Sequence, residues 1–454
     1  MKKILVANRG EIARRIFRSA RALGIGTVAV YSEADANAAH VMEADASEAI
    51  GPAPARESYL NADRILEAAR SSGADAVHPG YGFLAENAGF AERVIAAGLT
   101  WVGPSPRSII EMGDKQRARE LAQAAGVPVL PGSSRFTVGD TEGIEAAAEA
   151  TGYPLLVKAS AGGGGIGMRR IDRPDQLRAT VEATQSMAQK AFGDGSAFLE
   201  RFVPKARHVE IQVFGFGDGK AVHLYERDCS LQRRFQKVIE ESPSPGLPTE
   251  VRAAMTAAAI RLCEKTRYAG AGTVEFIVDA ESFEFFFLEM NTRIQVEHPV
   301  TEMITGLDLV GMQLDFARGR LTGMEQSAVA AKGHAIECRL YAENPAKMFM
   351  PSPGTLNVYR PPATGTHLRL DSAYREGDAV TPYYDPMIGK LVAWGETRDK
   401  AMRRAIEALD DFAIEGLHTN RDFLIACLKD DGFASGDVFT GFIDTHQKRL
   451  LLAA

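Results

Sequence analysis

Apolar positions in the first hundred residues switch between two periods. Residues 4–7 form an unbroken apolar run, and Asn8-Arg9-Gly10 follows it. Over residues 11–23, Ile12, Ile16, Ala20 and Leu23 recur at helical spacing until Gly24 ends the pattern. The same reading predicts a strand at 27–31, a helix at Ala62–Ser71, a strand at Ala76–His78, a helix at 90–97 and a strand at 100–102. Strands alternating with helices imply a parallel, doubly wound sheet. Ligands of such sheets gather at the carboxyl ends of strands. Asn8-Arg9-Gly10 and His78-Pro79-Gly80-Tyr81-Gly82 fall there.

A helix is expected over 105–125, before breaks at Val127-Pro128 and Pro131-Gly132. Residues 131–203 read as a smaller unit: a helix at 142–151, a strand at 155–159, a glycine run, a strand at 168–171, a long helix and a strand at 197–200. Strands at 208–214 and 221–225, a helix at 249–266 and a hairpin pairing 273–278 with 283–290 come next. From His334 the texture changes to short strands and prolines, among them Pro351, Pro353, Pro361, Pro362, Pro382 and Pro386. That pattern predicts a β-rich unit closed by a helix at 398–409. The chain carries no internal repeat.

The 454 residues suffice for several domains, and a composition of 45% hydrophobic and 24% charged residues is that of globular protein. A net charge of −7, with no basic block, argues against a nucleic-acid partner. Cys229, Cys263, Cys338 and Cys427 are far apart and form no Cys-x-x-Cys pair, as expected of reduced cytosolic thiols. The apolar run after the first two lysines is too short for a signal segment. No run approaches the roughly 18 apolar residues of a membrane span.

The chemistry concentrates in a few strings. Read as an extended strand, residues 289–297 place Glu289, Asn291, Arg293, Gln295 and Glu297 on one face. Phe283, Phe285 and Phe287 share that parity, so the polar face continues an apolar one. Buried charge is tolerated when paired or bound to metal, and Glu289 and Asn291 are hard oxygen donors suited to Mg²⁺. The plainer alternative is a solvated edge strand with a salt bridge. Glu275 sits on the partner strand of the same hairpin, within reach of Glu289. Two unpaired carboxylates would repel, so a cation between them is the economical explanation.

Ala161-Gly162-Gly163-Gly164-Gly165-Ile166-Gly167 follows a strand bearing Lys158. Bare backbone of this kind can wrap phosphate oxygens, and Lys158 adds a point charge. The run lacks the Gly-Lys-Ser/Thr ending of a P-loop, and it joins two strands, so it reads as a flap over a nucleotide. Residues 228–237 (Asp-Cys-Ser-Leu-Gln-Arg-Arg-Phe-Gln-Lys) look like an anion-binding loop behind a strand, although a solvated charge run is the commoner origin of such a stretch. On their own, His208 reads as a structural strand histidine and Lys115 as a surface lysine.

Together these strings resemble biotin carboxylase, the ATP-grasp enzyme of biotin-dependent carboxylases such as acetyl-CoA carboxylase. The matching stretches are ANRGEIA (7–13), HPGYGFLAEN (78–87), MGDK (112–115), RHVEIQV (207–213), ERDCSLQRR (226–234), QKVIEE (236–241), EMNTRIQVEHPVTE (289–302), GHAIECR (333–339) and YYDPMIGKL (383–391). They run in order over nearly the whole chain. The resemblance implies an α/β architecture: a doubly wound preATP-grasp N-terminal domain (1–112), an ATP-grasp central domain (113–330) with residues 131–203 as mobile lid, and a β-rich C-terminal domain (331–446). It implies that bicarbonate attacks the γ-phosphate of ATP to give carboxyphosphate, whose CO₂ is captured by the ureido N1′ of biotin.

Carried over position by position, the resemblance assigns ATP phosphates to Lys115, Lys158, Gly164 and Gly165. Adenine falls to Glu200 and the backbone of Val203, and ribose to His208. Two Mg²⁺ (or Mn²⁺) fall to Glu275, Glu289 and Asn291. Lys237, Arg293, Gln295 and Val296 would grip bicarbonate, Glu297 would be the general base, and Arg339 would steady the biotin enolate. Ala161, Ile166 and Phe235 depart from the family pattern, and Phe235 in place of a polar ribose contact should weaken ATP binding by roughly 1 kcal/mol. No Ala-Met-Lys-Met biotinylation motif appears, so the biotin carboxyl carrier protein is expected on another chain or in a part outside this sequence, and the carboxyltransferase on another chain. A cytoplasmic homodimer serving fatty acid biosynthesis completes the family picture. The competing expectations are an ATP-grasp ligase acting on another carboxylate and a non-catalytic scaffold.

Overall fold

The computed structural model describes residues 1–160 and 167–453. Five parallel strands open the chain: β1 (Lys3–Val6), β2 (Gly26–Tyr31), β3 (Ala46–Ala49), β4 (Ala76–His78) and β5 (Thr100–Trp101). Their order β3-β2-β1-β4-β5 turns at β1, the mark of a doubly wound sheet. Helix Gly10–Ala22 buries Ile12, Ile16 and Ala20, as the helical spacing predicts. The single helix expected over 105–125 is instead two, Pro106–Gly113 and Lys115–Ala124. Asp114 breaks it: its backbone is extended and its side chain accepts from the Arg117 amide, capping the second helix.

The lid-like unit holds β6 (Leu155–Ala159), β7 (Met168–Ile171) and β8 (Ala197–Arg201), antiparallel in the order β7-β6-β8. Helices Ile144–Thr151 and Leu177–Phe192 pack on it around Ile144, Leu155, Val157, Leu177 and Leu199. The expected flap positions Ala161 to Ile166, including Gly164 and Gly165, lie outside the described residues.

One antiparallel sheet of eight strands forms the body of the molecule. It contains β9 (Ala206–Phe216), β10 (Ala221–Arg233), β11 (Gln236–Ser242), β12 (Ala269–Asp279), β13 (Phe285–Asn291), β14 (His334–Tyr341), β15 (Leu368–Ser372) and β16 (Met387–Gly395). The order is β13-β12-β9-β10-β11-β14-β16-β15. The proline-rich C-terminal segment therefore adds its long strands to the central sheet. Helix Thr249–Thr266 buries Met255, Leu262 and Cys263 against Val209, Ile211 and Val274 of the sheet.

Two sequence expectations are corrected here. Residues 228–233, read as a loop, are the second half of β10, where Arg227, Asp228 and Gln232 are buried and paired rather than solvated. Only Arg234 and Phe235 turn, both at positive φ, as a two-residue hairpin connection demands. The strand read through residue 297 stops at Asn291. Beyond it the chain bends, and Glu297 immediately precedes helix His298–Thr305 without its side chain capping it.

Candidate active site

The hairpin of β12 and β13 places Glu275 directly opposite Glu289, and a bulge follows immediately, between Glu275 and Phe276. β9 lies on the other side of β12 and pairs Glu210 with Glu275 and His208 with Ile277. A cavity of about 1020 Å³ lies between this sheet and the lid strands. Every described candidate lines it: Lys115, Lys158, Glu200, Val203, His208, Lys237, Glu275, Glu289, Asn291, Arg293, Gln295, Val296, Glu297 and Arg339. The bend after Asn291 is what gathers the last of these. An extended strand would have carried Glu297 about 20 Å past Asn291. The bend instead brings it to Lys237.

Lys237 is the hub. Its Nζ donates to Glu297 Oε1 at 2.5 Å, to Glu210 Oε2 at 2.7 Å and to Glu275 Oε1 at 3.2 Å. Arg339 Nη2 donates to the other oxygen of Glu297 at 2.9 Å. Burial alone would push the Glu297 carboxyl up, but Lys237, Arg339 and Arg227 outweigh it and hold the group well below the usual carboxylate range. Behind the hub, Arg227 is wholly buried. It donates to Glu210 at 2.5 Å, to Gln212 at 2.7 Å and to Gln295 Oε1 at 3.2 Å. Lys390 Nζ donates to the Val296 carbonyl at 2.7 Å, pinning the bend from below.

His208 Nε2 pairs with Glu275 Oε2 at 2.7 Å, while Asn291 Nδ2 and Gln295 Nε2 each donate to Glu275 Oε1 at 2.7 Å. Burial opposes ionisation of Glu275, yet Lys237 and His208 keep it well below its ordinary value. Glu289 differs: burial first and the Glu275 charge second raise it. Arg293 donates to Asn291 Oδ1 at 2.9 Å and to Glu86 at 3.0 Å. On the lid side Lys158 and Glu200 form an ion pair, and Arg119 lies 3.5 Å from Glu200. Burial lowers the pKa of Lys115, the first residue of its helix.

His208, Glu210 and Glu275 offer metal-ligating atoms within 4.8 Å of one another, but Lys237 already neutralises that corner. The fit for a divalent cation is better at Glu275, Glu289 and Asn291. There, buried Glu275 and half-buried Glu289 oppose each other and repel, and the Asn291 side chain lies alongside with its oxygen on Arg293; turned inward, that oxygen would complete the hard oxygen set that Mg²⁺ takes.

Sequence reasoning missed Arg227, Arg119 and Lys390. Arg227 was legible only once β10 is extended, because its charge then faces the Glu210–Gln212 register of β9. Lys390 pairs in register with Arg339 and carries no local signal. Phe235 also lines the cavity, with its ring more than half exposed.

Family models match in chain order. The biotin carboxylase N-terminal domain covers residues 1–109, the ATP-binding domain of carbamoyl-phosphate synthase L chain covers 114–323, and the biotin carboxylase C-terminal domain covers 337–445. Biotin carboxylase 1 of Bacillus subtilis is 49% identical over 98% of this chain and 99% of its own length. The chain belongs to the biotin carboxylase family. The alpha subunit of mitochondrial methylcrotonoyl-CoA carboxylase from Oryza sativa is also 49% identical, over 99% of this chain but 61% of its own length. Among solved structures, a Campylobacter jejuni biotin carboxylase complex superposes with a TM-score of 0.94 at 42% identity, covering 98% of this chain and 99% of that one. The biotin carboxylase domain dimer of Hydrogenobacter thermophilus 2-oxoglutarate carboxylase, solved with MgADP and bicarbonate, gives 0.93 at 44% identity over 99% and 98%. The family's three-domain ATP-grasp architecture and ATP-dependent biotin carboxylation are thereby those of this chain.

Proposed function

We propose that the cavity performs the first half-reaction of a biotin-dependent carboxylase through the residues named above. The observation that carries this reading is one carboxylate, Glu297, clasped between Lys237 and Arg339 in the same cavity as the cationic phosphate side. Lys115 and Lys158 face the ATP phosphates, with Gly164 and Gly165 of the flap. Glu200, the Val203 backbone and His208 hold the nucleoside. Bicarbonate enters among Lys237, Arg293, Gln295 and Val296. As it takes up the Lys237 donor, Glu297 loses the cation that most depresses its pKa. Its basicity rises when the substrate proton is within reach, which is what a general base requires.

Deprotonated bicarbonate then attacks the γ-phosphorus. One P–O bond forms, the bond to ADP breaks, and carboxyphosphate results. Its breakdown releases CO₂ and phosphate, the phosphate takes the N1′ proton of biotin as N1′ bonds to CO₂, and Arg339 lies opposite the developing enolate oxygen. Phosphoryl transfer is mainly positioning and charge neutralisation, which suits a site of cations and one base. Glu275, Glu289 and Asn291 would hold two Mg²⁺ or Mn²⁺ ions, which would neutralise phosphate charge. The remaining expectations belong to the same proposal: a cytoplasmic homodimer, a biotin carboxyl carrier protein that presents its bound biotin, and a carboxyltransferase downstream. The direct test is ADP release with Mg²⁺, bicarbonate and free biotin, scored with incorporation of labelled bicarbonate into biotin. ADP release indifferent to both and stimulated by an amino acid would overturn it in favour of another ligase.

A further inference from the structure

Two acids next to Arg339 take no part in that scheme. Glu240 on β11 and Glu337 on β14 are direct register partners, so their side chains leave the same sheet face with Cβ atoms about 5 Å apart. Both are completely buried; among the described residues no hydrogen bond or ion pair reaches the Glu337 carboxylate, and Glu240 has Arg339 alone. Arg339 Nη2 lies 2.5 Å from Glu240 Oε1 while it also holds Glu297. The guanidinium is therefore flanked by an acid on the cavity side and another behind it.

The surrounding charges do not balance two more anions. Lys237, on the same strand as Glu240, is committed to Glu210, Glu275 and Glu297. Lys390 on β16 is committed to the Val296 carbonyl and, at 3.2 Å, to Glu11. His298, from the helix packed over β11 and β14, is held neutral by burial first and by the Lys390 charge second. Two ionised carboxylates about 5 Å apart repel by about 3 kcal/mol at an effective dielectric constant of 20. One of the two must keep a proton. Burial pushes Glu240 up to about 7 and Glu337 well above the carboxylate range, in agreement with the geometry.

We propose that Glu240 and Glu337 are a carboxyl pair holding one proton between them, in which ionised Glu240 braces the Arg339 guanidinium from behind and Glu337 keeps the proton. Glu240 is then a positioning residue. When substrates draw Glu297 away, it keeps the arginine in place and electrically balanced, and the proton on Glu337 limits the net charge behind it. The kinetic consequence rests on the reading of Arg339 as the group that faces biotin. Without Glu240, the arginine swings onto Glu297 and meets biotin poorly.

Infrared spectra of the wild-type protein at neutral pH should show the carbonyl stretch of a protonated carboxyl, and Glu337→Gln should remove it. No such band in the wild type, or an unchanged band in a folded Glu337→Gln, overturns the pair; the wild-type spectrum decides even if the variant does not fold. In Glu240→Gln, carboxylation of free biotin should fall at least tenfold further than bicarbonate-dependent ATP cleavage measured without biotin. Equal losses would leave Glu240 merely structural. A wild-type protein with no bicarbonate-dependent cleavage would defeat the proposed function instead, and the infrared result would still judge the pair.

Discussion

At the scale of single residues, the site is a row of alternating charges: Glu210, Lys237, Glu297, Arg339, Glu240. Such a row makes deletion and substitution different experiments. Glu297→Gln keeps the shape and removes the proton acceptor, so turnover should drop by about 10²–10⁴ while ATP affinity, read by nucleotide titration, stays near that of the wild type. Near-normal turnover would remove Glu297 from the base role. Arg339→Ser leaves the base and the phosphate side standing. It should cut biotin carboxylation far more than bicarbonate-dependent ATP cleavage, and parallel losses in the two assays would unseat the arginine from biotin. Lys237, Glu297 and Arg339 were legible in the sequence, because they sit in long specific strings, whereas Glu210 and Glu240 were given no role there. The clasp itself was not legible. It depends on the bend after Asn291, and no local propensity separates that bend from two more residues of strand.

At the scale of elements, β11 joins the catalytic half of the sheet to the C-terminal half, and one buried carboxylate secures the joint. Glu241 accepts from His334 of β14 at 2.6 Å and from Arg398 at 2.6 Å, at the start of helix Arg398–Asp410. Burial would raise its pKa, but the hydrogen bond from His334 and the charge of Arg398 win and lower it from 4.5 to about 2. A depressed carboxylate stabilises the fold above its unfolded value, and that stability is lost as pH falls toward the folded one. Between about pH 5 and pH 2 the wild type should therefore lose on the order of 3 kcal/mol through this group alone. Urea titrations should show Glu241→Gln less stable at neutral pH and flatter over that range; identical pH slopes would refute the joint. The element boundaries explain where sequence reading stopped. Helix Thr249–Thr266, preceded by Pro248, and strand β6, preceded by Pro154, have clear starts and were placed residue for residue. The second half of β10 alternates charged and polar groups buried against one another, and hydrophobic patterning is blind to polar groups that pair in the interior.

At the scale of the whole molecule, the doubly wound N-terminal sheet was readable from alternating periods, whereas the continuous eight-stranded sheet was not. Its long-range neighbours, such as β11 with β14, are about a hundred residues apart, and register at that distance leaves no mark in either segment. The sheet gives the cavity a fixed floor. The roof is different: the lid keeps its own small core around Ile144, Leu155, Val157 and Leu199, separate from the core beneath β9 and β12. Lys158 and Glu200 face each other across the cavity wall, so a nucleotide that claims either one must rearrange this pair and tie the roof to the floor. ATP with Mg²⁺ at about 100 times its dissociation constant stabilises the liganded state by about 2.7 kcal/mol. Amides of β6, β7 and β8 that open only when the nucleotide has left should then exchange about 100-fold more slowly. Amides of β1 to β5, outside the cavity lining, should change little. Hydrogen exchange read by mass spectrometry distinguishes the two sets. Equal protection of both would mean that the nucleotide acts on global stability, and no protection in the lid strands would remove residues 131–203 from the ATP site.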